Sequence, residues 1–190
     1  MSHALPTAPP VITIDPATPG LLRPLARLLL LINRLMVGVG MLALLAAATV
    51  LTYSVVSRYV MKASTDWQDE TAMFCLVGAT FLCGAFVQSL RGHVGIEAVS
   101  TWLPPAINRL RQVAVDAMSA LFCAFFSWKS WTLFHEAWAE HQTTSSSWAP
   151  PLAIPYGLMA TGMSLLALQL LLQLTASLNR AANPEKDFKS

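Results

Sequence analysis

The sequence contains little charge for its length. Of its 190 residues, 12% are charged and 55% are hydrophobic, whereas an ordinary soluble domain has roughly 25% charged residues. A soluble globule of this size would need more polar surface than these residues supply, so the apolar excess must face something other than water. The composition predicts one compact all-α membrane protein.

Cysteine and clustered cations are also scarce. Cys75, Cys83 and Cys123 fall inside apolar runs, with neither a C-x-x-C pair nor a Cys/His cluster at metal spacing. We interpret them as small buried packing residues. The net charge is only +2 and the twelve Lys and Arg are scattered, which argues against nucleic acid as a partner. No metal, cofactor or catalytic residue is predicted.

Long hydrophobic runs are what the sequence has in abundance. The first, residues 35–56, has 22 residues without charge. As a helix it extends about 33 Å, enough for a bilayer core of roughly 30 Å. The runs at 71–90, 113–134 and 151–174 are similar in length, although Asp116 and Lys129 lie in the third. The sequence therefore predicts four transmembrane helices.

The segments between these runs predict the rest of the domain. Residues 1–20 are rich in Pro, Ala and Thr without periodicity and are predicted to be a mobile cytoplasmic tail. The charged residues 179–190 are predicted to be a second cytoplasmic tail, which leaves 21–178 as the membrane domain. Leucines at helical spacing after residue 21, interrupted by arginines, predict an interfacial amphipathic helix before helix one. The pattern of Ile96, Val99 and Trp102 predicts a second one between helices two and three, ended by Pro104 and Pro105.

The distribution of positive charge predicts the orientation in the membrane. Nine Lys and Arg lie on one side of the predicted spans, whereas only Arg58 and Lys62 flank helices on the other. By the positive-inside rule, both termini are therefore cytoplasmic. The nine are Arg23, Arg27, Arg34, Arg91, Arg109, Arg111, Arg180, Lys186 and Lys189.

Three polar features at the ends of the helices are candidate contact sites. Acidic residues from Asp66 to Glu70 open helix two, where unpaired amides and the helix dipole favour negative charge. We expect an ion pair across the short loop between Arg58 and Glu70. Lys129 is expected to snorkel to the nearby interface beside Trp128; the alternative is a carboxylate on another chain.

The histidines and the absence of buried charge limit the possible functions. A bundle cytochrome needs histidines inside its spans, but His93, His135 and His141 lie at predicted helix ends or in loops. A proton-driven exporter would carry an ionisable residue deep in a span, and helices one, two and four have none. The chain is therefore expected to support another membrane protein. The alternative is a stand-alone membrane redox or enzyme subunit that uses the loop histidines.

A series of short motifs in a fixed order resembles a known family. The motifs are Arg58-Tyr59, Trp67, Asp69-Glu70, Gly84-Ala85, Arg91-Gly92-His93-Val94, Ile96-Glu97, Leu103-Pro104, Ile154-Pro155 and Gly162. Over residues 35–177 the chain resembles the small membrane subunit of tripartite ATP-independent periplasmic (TRAP) transporters, the DctQ-like small permease. The resemblance implies that these motif residues serve partner contacts or structure.

The resemblance also implies a function. Such a subunit belongs to a three-part importer of the bacterial inner membrane, with a large DctM-like permease and a periplasmic DctP-like binding protein. The large subunit would hold the sodium and substrate sites, and the small one would widen its fixed frame within the lipid. The substrates of the family are typically dicarboxylates, sialic acids or other carboxylates. The resemblance therefore implies secondary import without enzymatic activity in this chain.

Overall fold

The computed structural model of the protein describes residues 20–62, 64–90 and 105–182. These residues form four long helices: α1 (Arg23–Val56), α2 (Asp66–Ser89), α3 (Pro105–Ala139) and α4 (Ala153–Ala182). A 3-10 turn, Gly20–Leu22, precedes α1, and a π-helical turn, Ser57–Met61, follows it. Each of the four is long and apolar enough to cross a membrane, which confirms the predicted all-α membrane fold.

The helices lie in a row rather than in a closed bundle. In the described residues, α2 packs against both α1 and α4, α4 packs against α3, and α1 makes only a small contact with α4. The spatial order is therefore α1, α2, α4, α3. In the most apolar stretches of α2 and α4, 33% and 39% of the residues are buried, against 11% and 17% for α1 and α3. Few residues in the apolar stretches of the two outer helices are thus buried.

Contacts between helices give their relative directions. Gly40 of α1 lies beside Cys83 of α2, whereas Ser54 lies beside Asp69, so α1 and α2 are antiparallel. Gly78 and Gly84 of α2 face Leu158 and Leu166 of α4, so these two are parallel. We call the end where α1 begins and α2 and α4 finish the terminal end, and the opposite one the loop end. The first residues of α1 and the last residues of α4 therefore lie at the same end of the molecule.

Glycines allow the closest helix approaches. A Cβ atom at Gly40 would lie 2.5 Å from the Cys83 sulfur and 3.7 Å from the Cα of Ala79. One at Gly162 of α4 would overlap the main-chain carbonyl of Phe81. The small residues Ala79 and Cys83 of α2 therefore belong to a helix-packing surface. The three cysteines are only half-buried, which corrects the prediction that they are buried.

Two of the predicted helix limits are wrong. The amphipathic segment before helix one is no separate helix, because α1 is continuous from Arg23 to Val56. Between residues 25 and 37 there is neither Pro nor Gly to interrupt the hydrogen-bond ladder. Residues 135–139, predicted as loop, are the last turns of α3. The second predicted interfacial helix falls within residues 91–104, outside the described residues.

The loop that joins α3 to α4 is tied by main-chain hydrogen bonds. The amide of Leu152 donates to the carbonyl of Gln142 at 2.9 Å, and the amide of Thr144 donates to that of Pro150 at 3.1 Å. Pro155 is buried in the first turn of α4, where a missing amide hydrogen costs no helical hydrogen bond. These bonds fix the separation of α3 and α4 at the loop end.

Candidate partner interface

A polar group of four residues joins α1 to α2 at the loop end, and we call it the loop-end cluster. Arg58 Nη2 donates to Asp69 Oδ2 at 3.1 Å and to Thr65 Oγ1 at 2.7 Å. The hydroxyl of Ser54 donates to the other Asp69 oxygen at 3.2 Å. The partner of Arg58 is therefore Asp69. The sequence had predicted Glu70 as the partner, and that prediction is wrong. Successive residues of an α-helix point about 100° apart, so the carboxylate that faces α1 is that of Asp69 alone.

The cluster is held more by local geometry than by charge attraction. The side chains of Arg58 and Asp69 are 60% and 51% exposed, so their ion pair contributes less than about 1 kcal/mol. Asp66 and Asp69 lie in the first turn of α2, where the helix dipole favours carboxylates, as predicted. Thr65 precedes that turn, but its hydroxyl makes no capping bond to it and accepts a bond from Arg58 instead.

Two further polar side chains of this turn have buried oxygens without a protein partner. These are Oε1 of Gln68, a residue only 2% exposed, and Oε2 of Glu70. Trp67 lies on the outer surface, with its ring 6.4 Å from that of Tyr53. The described residues contain no group of three His, Cys, Asp or Glu side chains that could hold a metal ion. The unpartnered oxygens of Gln68 and Glu70, beside the loop-end cluster, are thus suited to accept hydrogen bonds from polar donors.

Near the terminal end, glutamines of α4 bind α1 and α2. The amide of Gln88 donates to Oε1 of Gln173 at 2.8 Å, while the amide of Gln173 donates to the main-chain carbonyl of Gln88 at 2.8 Å. That carbonyl belongs to the last turn of α2. One turn earlier, Gln169 accepts a long hydrogen bond of 3.4 Å from the buried amide of Asn33 on α1.

Serines of α4 bind α3 in the same way. The hydroxyl of Ser164 is 2.8 Å from that of Ser127 and accepts a hydrogen bond from the indole of Trp131 at 3.0 Å. Ser177 donates to the carboxylate of Asp116. Asp116, one of the two charged residues in the third predicted span, thus has a hydrogen-bond partner on α4. Hydrogen bonds from α4 therefore reach all three other helices.

The structure does not gather the sequence-predicted site residues into one site. Arg58 and Asp69 meet in the loop-end cluster, and Trp67 and Glu70 lie in the same turn of α2. A Cβ atom at Gly84 would lie 4.0 Å from a methyl group of Leu166 on α4, and Pro155 lies in the first turn of α4. The other four, Arg91, His93, Glu97 and Pro104, lie outside the described residues.

The four-residue spacing of Gln169, Gln173 and Ser177 was the signal that sequence reasoning missed. It places three polar side chains on one face of an otherwise apolar helix. In a membrane, such side chains seek partners on neighbouring helices. The pattern could therefore have predicted that α4 is the helix to which the others are tied.

Lys129 lies further from the end of its helix than the sequence predicted. It was placed near an end of the third span, but α3 continues for ten residues beyond it, to Ala139. The side chain is exposed, and its ammonium lies 5.2 Å from the centre of the Trp128 ring. Within the described part of the chain, no carboxylate forms an ion pair with it.

Comparison with known proteins gives one match, to the model of a protein family. The model of the family described as "Tripartite ATP-independent periplasmic transporters, DctQ component" matches residues 47–180, more than two thirds of the chain. Neither the curated proteins nor the solved structures gave a match. The matched segment contains the last ten residues of α1, all of α2 and α3, and all but the last two residues of α4, including the loop-end cluster and the polar residues of α4. The chain therefore belongs to the DctQ family, the small membrane subunits of TRAP transporters.

Proposed function

We propose that this chain is a non-catalytic scaffold subunit of a sodium-coupled importer in the bacterial inner membrane. In this proposal it supports a large permease subunit, which carries the sodium and substrate sites. The substrate is an organic acid, such as a dicarboxylate or a sialic acid, delivered by a periplasmic binding protein. Both termini of the chain are cytoplasmic, so the loop end faces the periplasm.

The observation that carries the proposal is the open row of helices. A bundle that encloses a solute site has an interior, whereas a row has only two broad faces and two outer edges. The described helices pack closely enough that glycines are needed at Gly40 and Gly162. The polar side chains near the terminal end are engaged with each other: Asn33 with Gln169, and Gln88 with Gln173. Such an element is suited to extend the frame of a larger protein.

Transport assays test the proposal directly. The purified chain, reconstituted alone into vesicles with a sodium gradient, should take up no radiolabelled organic acid. Vesicles that also contain the large permease should take up the acid when the binding protein and external sodium are supplied. Uptake by this chain alone would contradict the scaffold assignment.

Co-purification tests the partner. The tagged chain, extracted from its native membranes in mild detergent, should bring down a large polytopic permease identified by mass spectrometry. A preparation that never contains such a permease would refute the assignment as a subunit.

A further inference from the structure

Lys129 lies deep in the membrane-spanning part of the molecule. Ser127 and Trp131, which flank it on α3, both bind Ser164 of α4. Ser164 lies within about one helical turn of the midpoint of the apolar stretch Ala153–Asn179. The Cα atom of Lys129 is therefore near the middle of the bilayer rather than at its surface.

The side chain cannot readily carry its charge from there to water. The first polar residues of α3 on the way to its nearest end, His135 and Glu136, are six and seven residues beyond Lys129, a distance of at least about 9 Å, whereas the four-carbon stem reaches roughly 6 Å. Moreover, the Cα–Cβ bonds of a helix tilt towards its N-terminus. The nearest end of α3 is its C-terminus, so the stem of Lys129 leans away from that end. This argument does not depend on which side of the membrane the loop end faces.

The face around Lys129 is uncovered and rich in aromatic rings. We call it the α3 outer stripe: Met118, Leu121, Phe122, Phe125, Trp128 and Lys129. Its five apolar members are 54% to 72% exposed, and the rings of Phe125 and Trp128 meet edge to face at 6.2 Å. The outer face of α1, by contrast, has no charged residue over 35–56. A charge on one outer helix and none on the other distinguishes the stripe from a surface made only for lipid.

Charge complementarity indicates what covers the stripe. Charged residues within membrane spans almost always face a protein interior or a water-filled cavity, where they pair with one another or with main-chain carbonyls. A lipid phosphate cannot serve, because it lies at the level of the headgroups. A second copy of this chain in the same orientation offers no carboxylate on α3 level with Lys129: its Glu136 and Asp116 would lie seven and thirteen residues away in depth, or about 10 Å and about 20 Å.

We propose that the α3 outer stripe is the docking face for the large permease and that Lys129 pairs, within the membrane, with a carboxylate on one of the permease's transmembrane helices. The proposal rests on the function proposed above and adds to it the contact face and the chemistry of the contact. The aromatic side chains of the stripe exclude lipid around the ion pair, which strengthens it.

Substitutions at Lys129 test the pairing, with Lys62 as the matched control. Lys62 is an exposed lysine beyond the end of α1, so Lys62→Met removes the same charge outside the spans. The tagged chain is co-expressed with the permease and purified in mild detergent, and the permease recovered is quantified. Lys129→Met and Lys129→Glu should each lower recovery tenfold or more, as expected when a buried ion pair loses one partner. Lys129→Arg and Lys62→Met should resemble the unmodified protein.

A charge exchange then identifies the partner residue. Each Asp and Glu within the permease's spans is changed to Lys and combined with Lys129→Glu; one of these combinations should restore recovery. Undiminished recovery with Lys129→Met, or no restoring combination, would overturn the pairing. If the unmodified chain recovers no permease, the proposed function itself fails, and this inference fails with it.

A photocrosslinker in place of Phe122 tests the face without touching the charge. Crosslinking to the permease is the expected result. Crosslinking only to lipid or only to a second copy of the chain would overturn the docking face, even if a variant at Lys129 failed to fold.

Discussion

The helix spacing at Gly162 predicts a large cost for one added methyl group. In Gly162→Ala, the new Cβ atom would overlap the carbonyl of Phe81 and lie 2.8 Å from the Phe81 Cβ. A flexible side chain could turn aside, but a helical main chain cannot. The variant therefore fits only if α2 and α4 move apart, which sacrifices contacts along the seam between them.

A second glycine isolates this cost from the intrinsic preference of alanine for helices. Alanine favours a helix over glycine by about 1 kcal/mol, which partly offsets the overlap at Gly162. Gly38 on α1 has no atom within 4 Å of an added Cβ, so Gly38→Ala gains the same preference without a clash. Since overpacking costs about 1–3 kcal/mol, Gly162→Ala should be less stable than Gly38→Ala by about that amount.

The measurement is unfolding of the purified chain by SDS in mixed micelles, followed by far-UV circular dichroism. Gly84→Ala provides an intermediate test, because its added Cβ meets only a leucine methyl at 4.0 Å. Its stability should lie close to that of Gly38→Ala. Equal unfolding curves for Gly162→Ala and Gly38→Ala would refute the inferred close approach of α2 and α4.

Three further predictions concern the polar contacts and the histidines. In double-mutant cycles followed by SDS unfolding, Arg58 and Asp69 should show a coupling free energy of up to about 1 kcal/mol, whereas Arg58 and Glu70 should show none. Coupling of Arg58 to Glu70 instead would contradict the geometry of the loop-end cluster. Gln173→Leu should destabilise the chain by about 1–2 kcal/mol, because it leaves the amide and the carbonyl of Gln88 without their partner; an unchanged midpoint would show that the contact contributes nothing. An absorption spectrum should show no Soret band and elemental analysis no stoichiometric metal, and either signal would favour the alternative of a redox subunit.

The existence of the four helices could be predicted from the sequence, but their ends could not. Uncharged runs of about twenty residues have only one stable form in lipid, because each main-chain polar group must be paired within its own segment. Beyond the lipid this constraint disappears, because water can pair with the main-chain polar groups, and a helix can therefore either continue through polar residues or end at them. His135 and Glu136 continue α3, although their polarity had indicated a loop. Likewise, the arginines before Leu35 did not interrupt α1.

Contacts between helices were less predictable than the helices themselves. The small residues of α2 indicated a packing face, but not that Gly40 would be its partner. The carboxylates at the start of α2 indicated a pair with Arg58, but the helical phase that selects Asp69 over Glu70 depends on where α2 begins. The residue types limited which contacts between helices were possible. The positions and rotations of the helices determine which of those contacts form.

The distribution of hydrogen bonds shows how the row of helices can act as one body. Near the terminal end, Gln169, Gln173 and Ser177 bind one residue on each of the other helices. At the loop end, the loop-end cluster joins α1 to α2, and main-chain bonds of the 140–152 loop join α3 to α4. The two pairs meet through the close contact of α2 and α4 at Gly162, between the two ends of the row. In the proposed function this row extends a fixed frame, and Gly162→Ala forces α2 and α4 apart at the seam between the two pairs, so the variant should impair transport even in complexes that still assemble.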